Sequence, residues 1–350
     1  MDDPEISVGF FPLYGLRYEG ESFPIWLAMV FQFDVSEWRF WEDTDIYIEH
    51  LGEDEALEGF ALEDRVDLDW KNPLPHGLLV TTPGDTDDAL PILEALAMDV
   101  VLALRLHKQG SFLDPQFFGT YFERGGWRTR RQGLYRQWAY DERGDVASFF
   151  REPGYILERE DQEALTRLAA QLFVDRGEQT SHDLGLENFR YSSAPKLGDH
   201  ARLTLLFTAL EVIFGRFDSS AGGVGFVERS VAAARLGSVA DDRLGSFMAD
   251  EARGLRNIVA HSGEEALPSD AGSAVGILSD AVRGALRCRL QFTGVMRESA
   301  DRVAEATKNP ALPIHDAFNL LLAAAVAGDQ TAEEILSTPL APIGEPDPDA

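Results

Sequence analysis

From about residue 158 onward, apolar side chains recur every three or four positions, which is the spacing of amphipathic helices. The first two apolar stripes consist of Ala164, Leu165, Leu168, Leu172 and Phe173, and of Leu203, Leu206, Phe207, Leu210, Ile213 and Phe214, with Gly215 as a stop signal. Further along, helices are predicted over residues 226–236, 247–261 and 275–296, separated by short loops that contain Gly and Ser. Consecutive amphipathic helices joined by short loops predict an all-helical bundle.

The first part of the chain has a different pattern, in which short aromatic and aliphatic runs alternate with turns. Residues 25–33 and 45–49 are predicted strands, and residues 127–138 are predicted to form a β-hairpin. A helix is predicted from about residue 87 to 108. Its apolar positions are Leu93, Leu96, Val100 and Leu104, and Asp85, Asp87 and Asp88 are expected to cap its start rather than bind a cation.

These patterns predict an α+β chain with four parts. Residues 1–150 form a mixed α/β N-terminal domain, and residues 158–298 form the all-α helical bundle. Residues 299–337 are predicted to be a helical extension of the bundle. Residues 338–350 are rich in Pro and acidic residues, so they are predicted to be a disordered tail.

The composition changes this picture little. The 350 residues are 45% hydrophobic and 26% charged, as in a globular protein, and no run approaches the roughly 18 apolar residues of a membrane helix. The N-terminus has no basic region typical of a signal peptide, and the single Cys288 excludes an internal disulfide and a cysteine metal cluster. We therefore expect a cytoplasmic protein with no membrane partner.

Other features point away from metal and cofactor chemistry. No metal-ligand spacing is formed by the scattered residues His50, His76, His107, His182, His200 and His315. The Gly-rich segment 222–225 precedes a helix, but no Walker Lys-Ser/Thr follows it, so we interpret it as a flexible loop. No metal and no cofactor are expected.

The net charge of −29 argues against a general nucleic-acid binder, which normally carries a basic surface. The first 100 residues contain 24 acidic residues and only four Arg or Lys residues. This imbalance is explained either by solubility and a composition bias or by a dedicated acidic binding face.

One segment, residues 121–144, combines arginines with aromatic residues. The arginines considered for RNA binding are Arg124, Arg128, Arg130, Arg131 and Arg136, and they alternate with Tyr121, Phe122, Trp127, Tyr135, Trp138 and Tyr140. Arginine can hold a phosphate backbone while aromatic rings stack on bases. The same pattern is also compatible with a structural hairpin whose arginines pair with the acidic N-terminal part.

The segment with the most specific chemistry is GLRNIVAHSG at residues 254–263, at the end of a predicted helix. Arg256 can hold a phosphate with a forked pair of donors, and histidine is the side chain best suited to proton transfer near neutral pH. Asn257 and His261 are four residues apart, so their side chains are neighbours. They point away from the predicted core stripe of Met248, Ala252, Leu255 and Val259. The alternative is a solvated helix end capped by a histidine.

Arg256-Asn257-Ile258-Val259-Ala260-His261 resembles the signature of the HEPN superfamily, an Arg followed by a polar residue and, after a few more residues, a His. The preceding triplet Ala209-Leu210-Glu211 and the helix that begins at residue 226 are similar to those of the Apea-like branch. The resemblance covers roughly residues 158–296 and says nothing about residues 1–150.

The resemblance implies a homodimer of helical bundles in which two Arg/His helices form one composite cleft. Arg256 would bind the scissile phosphate, His261 would act as general acid or base, and Asn257 would orient His261 or bind the phosphate. Glu211 would contribute to the cleft, although an ordinary solvated surface glutamate is the alternative.

Many HEPN proteins are metal-independent ribonucleases of antiphage, abortive-infection or toxin systems. By this resemblance the chain is an endoribonuclease that cuts RNA, either tRNA or mRNA, with an antitoxin or a phage-derived trigger as candidate partners. The N-terminal domain would then sense the trigger or select the substrate. The alternative is a catalytically silent HEPN dimer that binds nucleotide or a partner protein, and the acidic balance favours that alternative.

Overall fold

The computed structural model of the protein describes most of the chain. The described residues are 6–13, 16–18, 22–25, 28–32, 76–83, 89–110, 112, 118–123, 126–131, 155–175, 181–194, 197–238, 243–262 and 267–339. The chain divides into two compact units. The first comprises Met1–Leu104 with Lys108–Ala169, and the second comprises Arg105–His107 with Ala170–Ala350.

The first unit contains an antiparallel sheet of six strands in the order β3-β4-β5-β1-β6-β7. The strands are β1 (Ile6–Leu13), β2 (Leu16–Arg17), β3 (Ser22–Ile25), β4 (Ala28–Gln32), β5 (His76–Pro83), β6 (Phe118–Glu123), β7 (Gly126–Arg131) and β8 (Tyr155–Ile156). The short strands β2 and β8 pair in parallel, with Leu16 opposite Tyr155. Helix α1 (Ala89–His107) confirms the predicted helix, and Leu96, Val100 and Leu104 are buried as expected. The capping residues proposed at 85–88 lie outside the described residues.

One strand prediction was wrong in its boundaries, and another is untested. The predicted strand over residues 25–33 is instead divided between β3 and β4, which pair antiparallel with Ile25 opposite Ala28. The two residues between the strands, Trp26 and Leu27, are apolar, and neither is a Gly, Pro or Asn that would mark a turn. The predicted strand at 45–49 lies outside the described residues.

The structure describes only the first part of the predicted hairpin over residues 127–138. In the structure Glu123 lies opposite Gly126, so the two residues 124–125 connect β6 to β7, and the segment from Trp127 to Arg131 is a single strand. One of these two connecting residues is Gly125, and glycine is favoured in such short connections. Residues 132–138 lie outside the described residues.

The second unit is helical, as the apolar stripes predict. The helices that follow α1 along the chain are α2 (Gln162–Asp175), α3 (Ser181–Ser192), α4 (Asp199–Phe214), α5 (Phe226–Leu236), α6 (Leu244–Asp250), α7 (Ala252–His261), α8 (Ala271–Glu298), α9 (Ala300–Thr307), α10 (Ile314–Val326) and α11 (Gln330–Leu336). A turn of 3₁₀ helix (Arg159–Asp161) precedes α2, and the boundary between the two units falls within α2.

The long helix α8 forms the centre of this bundle. It packs mainly against α4 and α5, and it also contacts α3, α6, α9, α10 and α11. The predicted helical extension therefore consists of α9 to α11, which pack on the same central helix. Of the predicted tail, only residues 338 and 339 are described.

The predicted ends of the bundle helices are confirmed in part. Helix α4 stops at Gly215, which has a φ of 85° and donates its N–H to the Glu211 carbonyl at 2.9 Å. Helix α5 has the predicted bounds, and α8 begins four residues earlier than predicted. Phe173 departs from its stripe, because 37% of its surface is exposed.

The predicted helix over residues 247–261 is in fact two helices, α6 and α7, separated at Glu251 with φ −114° and ψ −37°. Met248 and Ala252 are both fully buried, so the apolar stripe runs across the break. For this reason the periodicity alone could not reveal it.

The Gly-rich segment 222–225 is not a flexible loop. Strands β9 (Ser220–Ala221) and β10 (Val224–Gly225) form a small hairpin. Gly222 and Gly223 have φ values of 56° and 83°, the backbone of a type I′ turn that favours glycine at both positions. Among the helices that the structure describes, none is both long and apolar enough to cross a membrane.

Candidate active site on the Arg/His helix

Helix α7 is amphipathic, and this determines which of its side chains can meet a ligand. Ala252, Leu255 and Val259 are buried, as predicted. Asn257 and His261 are exposed. Their loss would therefore leave no cavity in the core.

Arg256 is held by Glu211 from the neighbouring helix α4. Its Nε lies 3.1 Å and its Nη2 lies 3.0 Å from the same oxygen, Oε1 of Glu211. About a third of the Arg256 side chain and a quarter of the Glu211 side chain are exposed (33% and 26%). An ion pair of this exposure stabilises the fold by about 1 kcal/mol at most, so its main effect is to orient the guanidinium.

Glu211 is thus a mostly buried carboxylate, with 26% of its side chain exposed, and it is paired with Arg256. It extends a polar stripe along α4 that includes His200, Thr204 and Thr208 at intervals of four and three residues. The two threonine hydroxyls donate to backbone carbonyls one turn earlier, Thr204 to His200 at 2.8 Å and Thr208 to Thr204 at 2.7 Å.

A second contact joins the other end of α4 to α7. The Nε2 atom of His200 lies 3.1 Å from the carbonyl oxygen of Ser262, the residue that follows His261. The early residue His200 meets the end of α7, and the late residue Glu211 meets its middle, so α4 and α7 run in opposite directions. His200 was not among the residues predicted for the site, although its position on the polar stripe of α4 was a signal that could have found it.

The structure does not bring every predicted site residue together within one chain. Arg256 and His261 are five residues apart, which at 100° per residue separates them by about 140° around the helix axis. Arg256 lies toward α4, and no hydrogen bond of the Asn257 or His261 side chain is found among the described residues. A single α7 therefore presents its arginine and histidine on different sides.

The arginine segment of the first unit is described only in part. Arg128, Arg130 and Arg131 lie on β7, whose register places Arg128 opposite Tyr121. Arg124 and Arg136 lie outside the described residues.

Other reactive groups offer little for catalysis. Cys288 is fully buried, and burial raises the pKa of its thiol to about 12, so the nucleophilic thiolate is not accessible. In the part of the chain that the structure describes, no cluster of three His, Cys, Asp or Glu side chains could hold a metal ion.

No protein-family model matches this chain, and neither the curated proteins nor the solved structures include one that is significantly similar to it. Any functional assignment therefore depends on the residues themselves and on their geometry.

Proposed function

We propose that the protein is a metal-independent endoribonuclease of the HEPN type, with Arg256, Asn257 and His261 as its catalytic residues. The observation that carries this proposal is the ion pair that orients Arg256 on a helix whose exposed end presents Asn257 and His261. A guanidinium beside an imidazole can bind a phosphodiester and move its protons without a metal.

The geometry of the ion pair leaves the phosphate-binding edge of Arg256 available. Glu211 accepts from Nε and Nη2, which form one edge of the planar guanidinium. Nη1 and the second Nη2 hydrogen form the adjacent edge, and this edge can bind a phosphate bidentately. Glu211 therefore acts as a positioning residue, since it fixes the plane of the group that meets the substrate.

In the proposed reaction the 2′-OH of the RNA attacks the adjacent phosphorus. A base takes the 2′ proton, the bond between phosphorus and O2′ forms, and the bond between phosphorus and O5′ breaks as O5′ receives a proton. His261 serves as general base or acid, Asn257 orients it or binds the phosphate, and Arg256 stabilises the charge that develops on phosphorus oxygens. The products are a 2′,3′-cyclic phosphate and a 5′-hydroxyl end.

A homodimer completes this site. Because Arg256 and His261 are about 140° apart on one helix, the histidine of one copy can face the arginine of another across a two-fold axis. RNA, either tRNA or mRNA, is the proposed substrate, and the HEPN resemblance supports a role in antiphage or toxin-type defence with an antitoxin or a phage-derived trigger as partner.

One observation also favours a second candidate, a catalytically silent dimer that binds nucleotide or protein. Arg256 is already paired with a carboxylate, and the chain carries a net charge of −29, so RNA must approach an acidic molecule whose key cation is partly neutralised.

Cleavage of total tRNA and of mRNA in the presence of EDTA decides between the two. We expect the wild type to produce 2′,3′-cyclic phosphate ends, and His261→Ala to cleave about 10²–10⁴ times more slowly. Arg256→Lys should also be strongly impaired because lysine lacks the fork, whereas Arg253→Lys, an exposed arginine on the same helix, is the matched control and should cleave normally.

Unimpaired cleavage by a well-folded His261→Ala protein would refute the assignment. Wild-type protein that binds RNA or nucleotide but cuts no RNA would support the silent dimer instead.

A further inference from the structure

The end of α7 is attached to the rest of the bundle by the imidazole of His200. Its Nε2 lies 3.1 Å from the Ser262 carbonyl oxygen. A carbonyl oxygen only accepts hydrogen bonds, so His200 must carry its proton on Nε2 and donate it. The ring is half-buried and belongs to the first turn of α4.

Ser262 is the residue at which the chain leaves the helix. Its backbone is extended, with φ −127° and ψ 159°, and its N–H donates to the Ile258 carbonyl at 2.8 Å. The last carbonyls of a helix have no partner within the helix, and helix ends fray unless another group satisfies them. The His200 donor therefore stabilises the turn that carries His261.

The two contacts from α4 are complementary. Glu211 holds the Arg256 side chain, and His200 holds the backbone directly after His261. Since the His261 side chain is exposed, its position relative to a substrate depends on the position of its backbone.

We infer that His200 is a positioning residue of the Arg256–His261 site, which fixes the catalytic histidine by anchoring the C-terminal turn of α7 through its backbone. The inference rests on the proposed ribonuclease function. A misplacement of about 1 Å in a catalytic group can cost about 10²-fold in rate. Loss of the anchor should therefore affect the chemical step far more than substrate binding.

The test uses the full-length protein with two substitutions, His200→Ala and His200→Gln. Glutamine is the matched control, because its amide nitrogen reaches about as far as Nε2 and can still donate to the Ser262 carbonyl. For His200→Ala we expect kcat for RNA cleavage to fall by about 10- to 100-fold with KM within about twofold of wild type. His200→Gln should recover most of kcat.

Hydrogen exchange of the amides in residues 255–262, measured without RNA, gives an independent readout. Removal of one hydrogen bond at a helix end should speed exchange there by about three- to tenfold in His200→Ala and much less in His200→Gln. A wild-type exchange rate in His200→Ala shows that the contact does not anchor the turn and overturns the inference. Faster exchange with unchanged kcat also overturns it, because the contact would then have no effect on His261.

The two proposals fail in different ways. If the wild-type protein cuts no RNA, the proposed function fails, and the exchange measurement still decides whether His200 anchors α7. If the wild type cuts RNA and His200→Ala matches it in kcat and in exchange, only the role of His200 is refuted.

Discussion

Two arginines in the core of the second unit have no carboxylate partner among the described ion pairs. Arg229 is 1% exposed and donates to the Asn319 side chain and to backbone and side-chain oxygens of Ser219. Arg289 is 4% exposed and donates to the Ile314 carbonyl at 2.8 Å. Burial lowers the pKa of both guanidinium groups, that of Arg289 to about 10, yet both remain charged at neutral pH.

His315 faces these two cations and is the residue at which pH should act. Burial lowers its pKa, Arg289 and Arg229 lower it further, and only Asp316 opposes them. Its Nε2 lies 3.4 Å from the Asn319 amide nitrogen, a contact that suits the neutral imidazole. A third positive charge at this position is therefore unfavourable in the folded protein.

We predict that acid destabilises the bundle through His315. Because its folded pKa lies below the ordinary value of about 6.5, the unfolded chain binds the proton more readily, and the contribution of His315 to stability is lost as pH falls below about 6.5. The loss for one such group is at most about 1.4 kcal/mol per pH unit. Urea unfolding of the wild type and of His315→Gln at pH 7.5 and 5.5 measures it. The wild type should lose more unfolding free energy than the variant, and equal losses would contradict the prediction.

The exposure of a site residue could be predicted from the sequence, because it depends on the periodicity of one helix. The partner of a site residue could not, because it depends on how two helices pack. Asn257 and His261 were expected to be exposed because both lie opposite an apolar stripe, and they are exposed. The partner of Arg256 is 45 residues away on another helix, so no local spacing identifies Glu211 as the residue that holds it. The contact of His200 with Ser262 spans 62 residues and was missed for the same reason.

At the scale of elements, α5 and the central helix α8 cross at a glycine contact. A Cβ placed on Gly284 would meet the Ala234 carbonyl oxygen at 2.6 Å, and one placed on Gly237 would meet the Gly284 carbonyl oxygen at 1.9 Å. These neighbours are backbone atoms, which cannot rotate away as a flexible side chain can. The two helices can approach this closely only because both positions lack a side chain.

We predict that Gly284→Ala destabilises the second unit by about 1–3 kcal/mol, the usual cost of overpacking a tight contact. Gly276→Ala on the same helix is the matched control, since a Cβ there has no atom within 4 Å. That control should be neutral or stabilise by about 0.4–1 kcal/mol, because alanine reduces the entropy of the unfolded chain. Urea midpoints compare the two variants, and equal midpoints would show that the crossing adapts without cost.

Helices were predictable as elements because their apolar stripes are strong, but their interruptions were not. The stripe that includes Met248 and Ala252 continues across the break between α6 and α7, so burial gives no sign of it. The β3–β4 connection has the same character, since Trp26 and Leu27 resemble strand residues. In both cases the element is interrupted at residues other than Gly or Pro, which usually mark an interruption.

At the scale of the whole molecule, the proposed site requires a second copy of the chain. The exposed surface of α7 carries Asn257 and His261, and the small, exposed Ala260 lies beside Asn257 on this surface, so two such helices can approach closely. In a two-fold interface each residue lies near its own copy, and any added charge is doubled at the axis.

We predict that Ala260→Arg disrupts the dimer and abolishes RNA cleavage, because it places two further cations beside a pair of Arg256 and His261 residues. Ala327→Arg, an exposed alanine directly after α10, adds the same charge outside α7 and should leave the dimer intact. Light scattering at micromolar concentration measures the mass of each variant. A wild-type monomer that cleaves RNA at full rate would contradict the shared site.

The net charge of the chain leads to a prediction about how the first unit binds RNA. A molecule with a net charge of −29 repels RNA, so productive binding requires local cations, and β7 supplies Arg128, Arg130 and Arg131. Replacing all three with Ser should weaken RNA binding and flatten the dependence of log affinity on log salt concentration by about 2, since each contact with a single-stranded phosphate contributes about 0.7. Binding titrations at salt concentrations from about 50 to 200 mM, the range in which phosphate contacts change affinity strongly, measure this slope.

Cleavage of a dinucleotide, which needs only the Arg256–His261 site, should stay at the wild-type rate in the triple variant. An unchanged salt slope would indicate instead that these arginines pair with acidic residues of the protein itself and do not touch RNA.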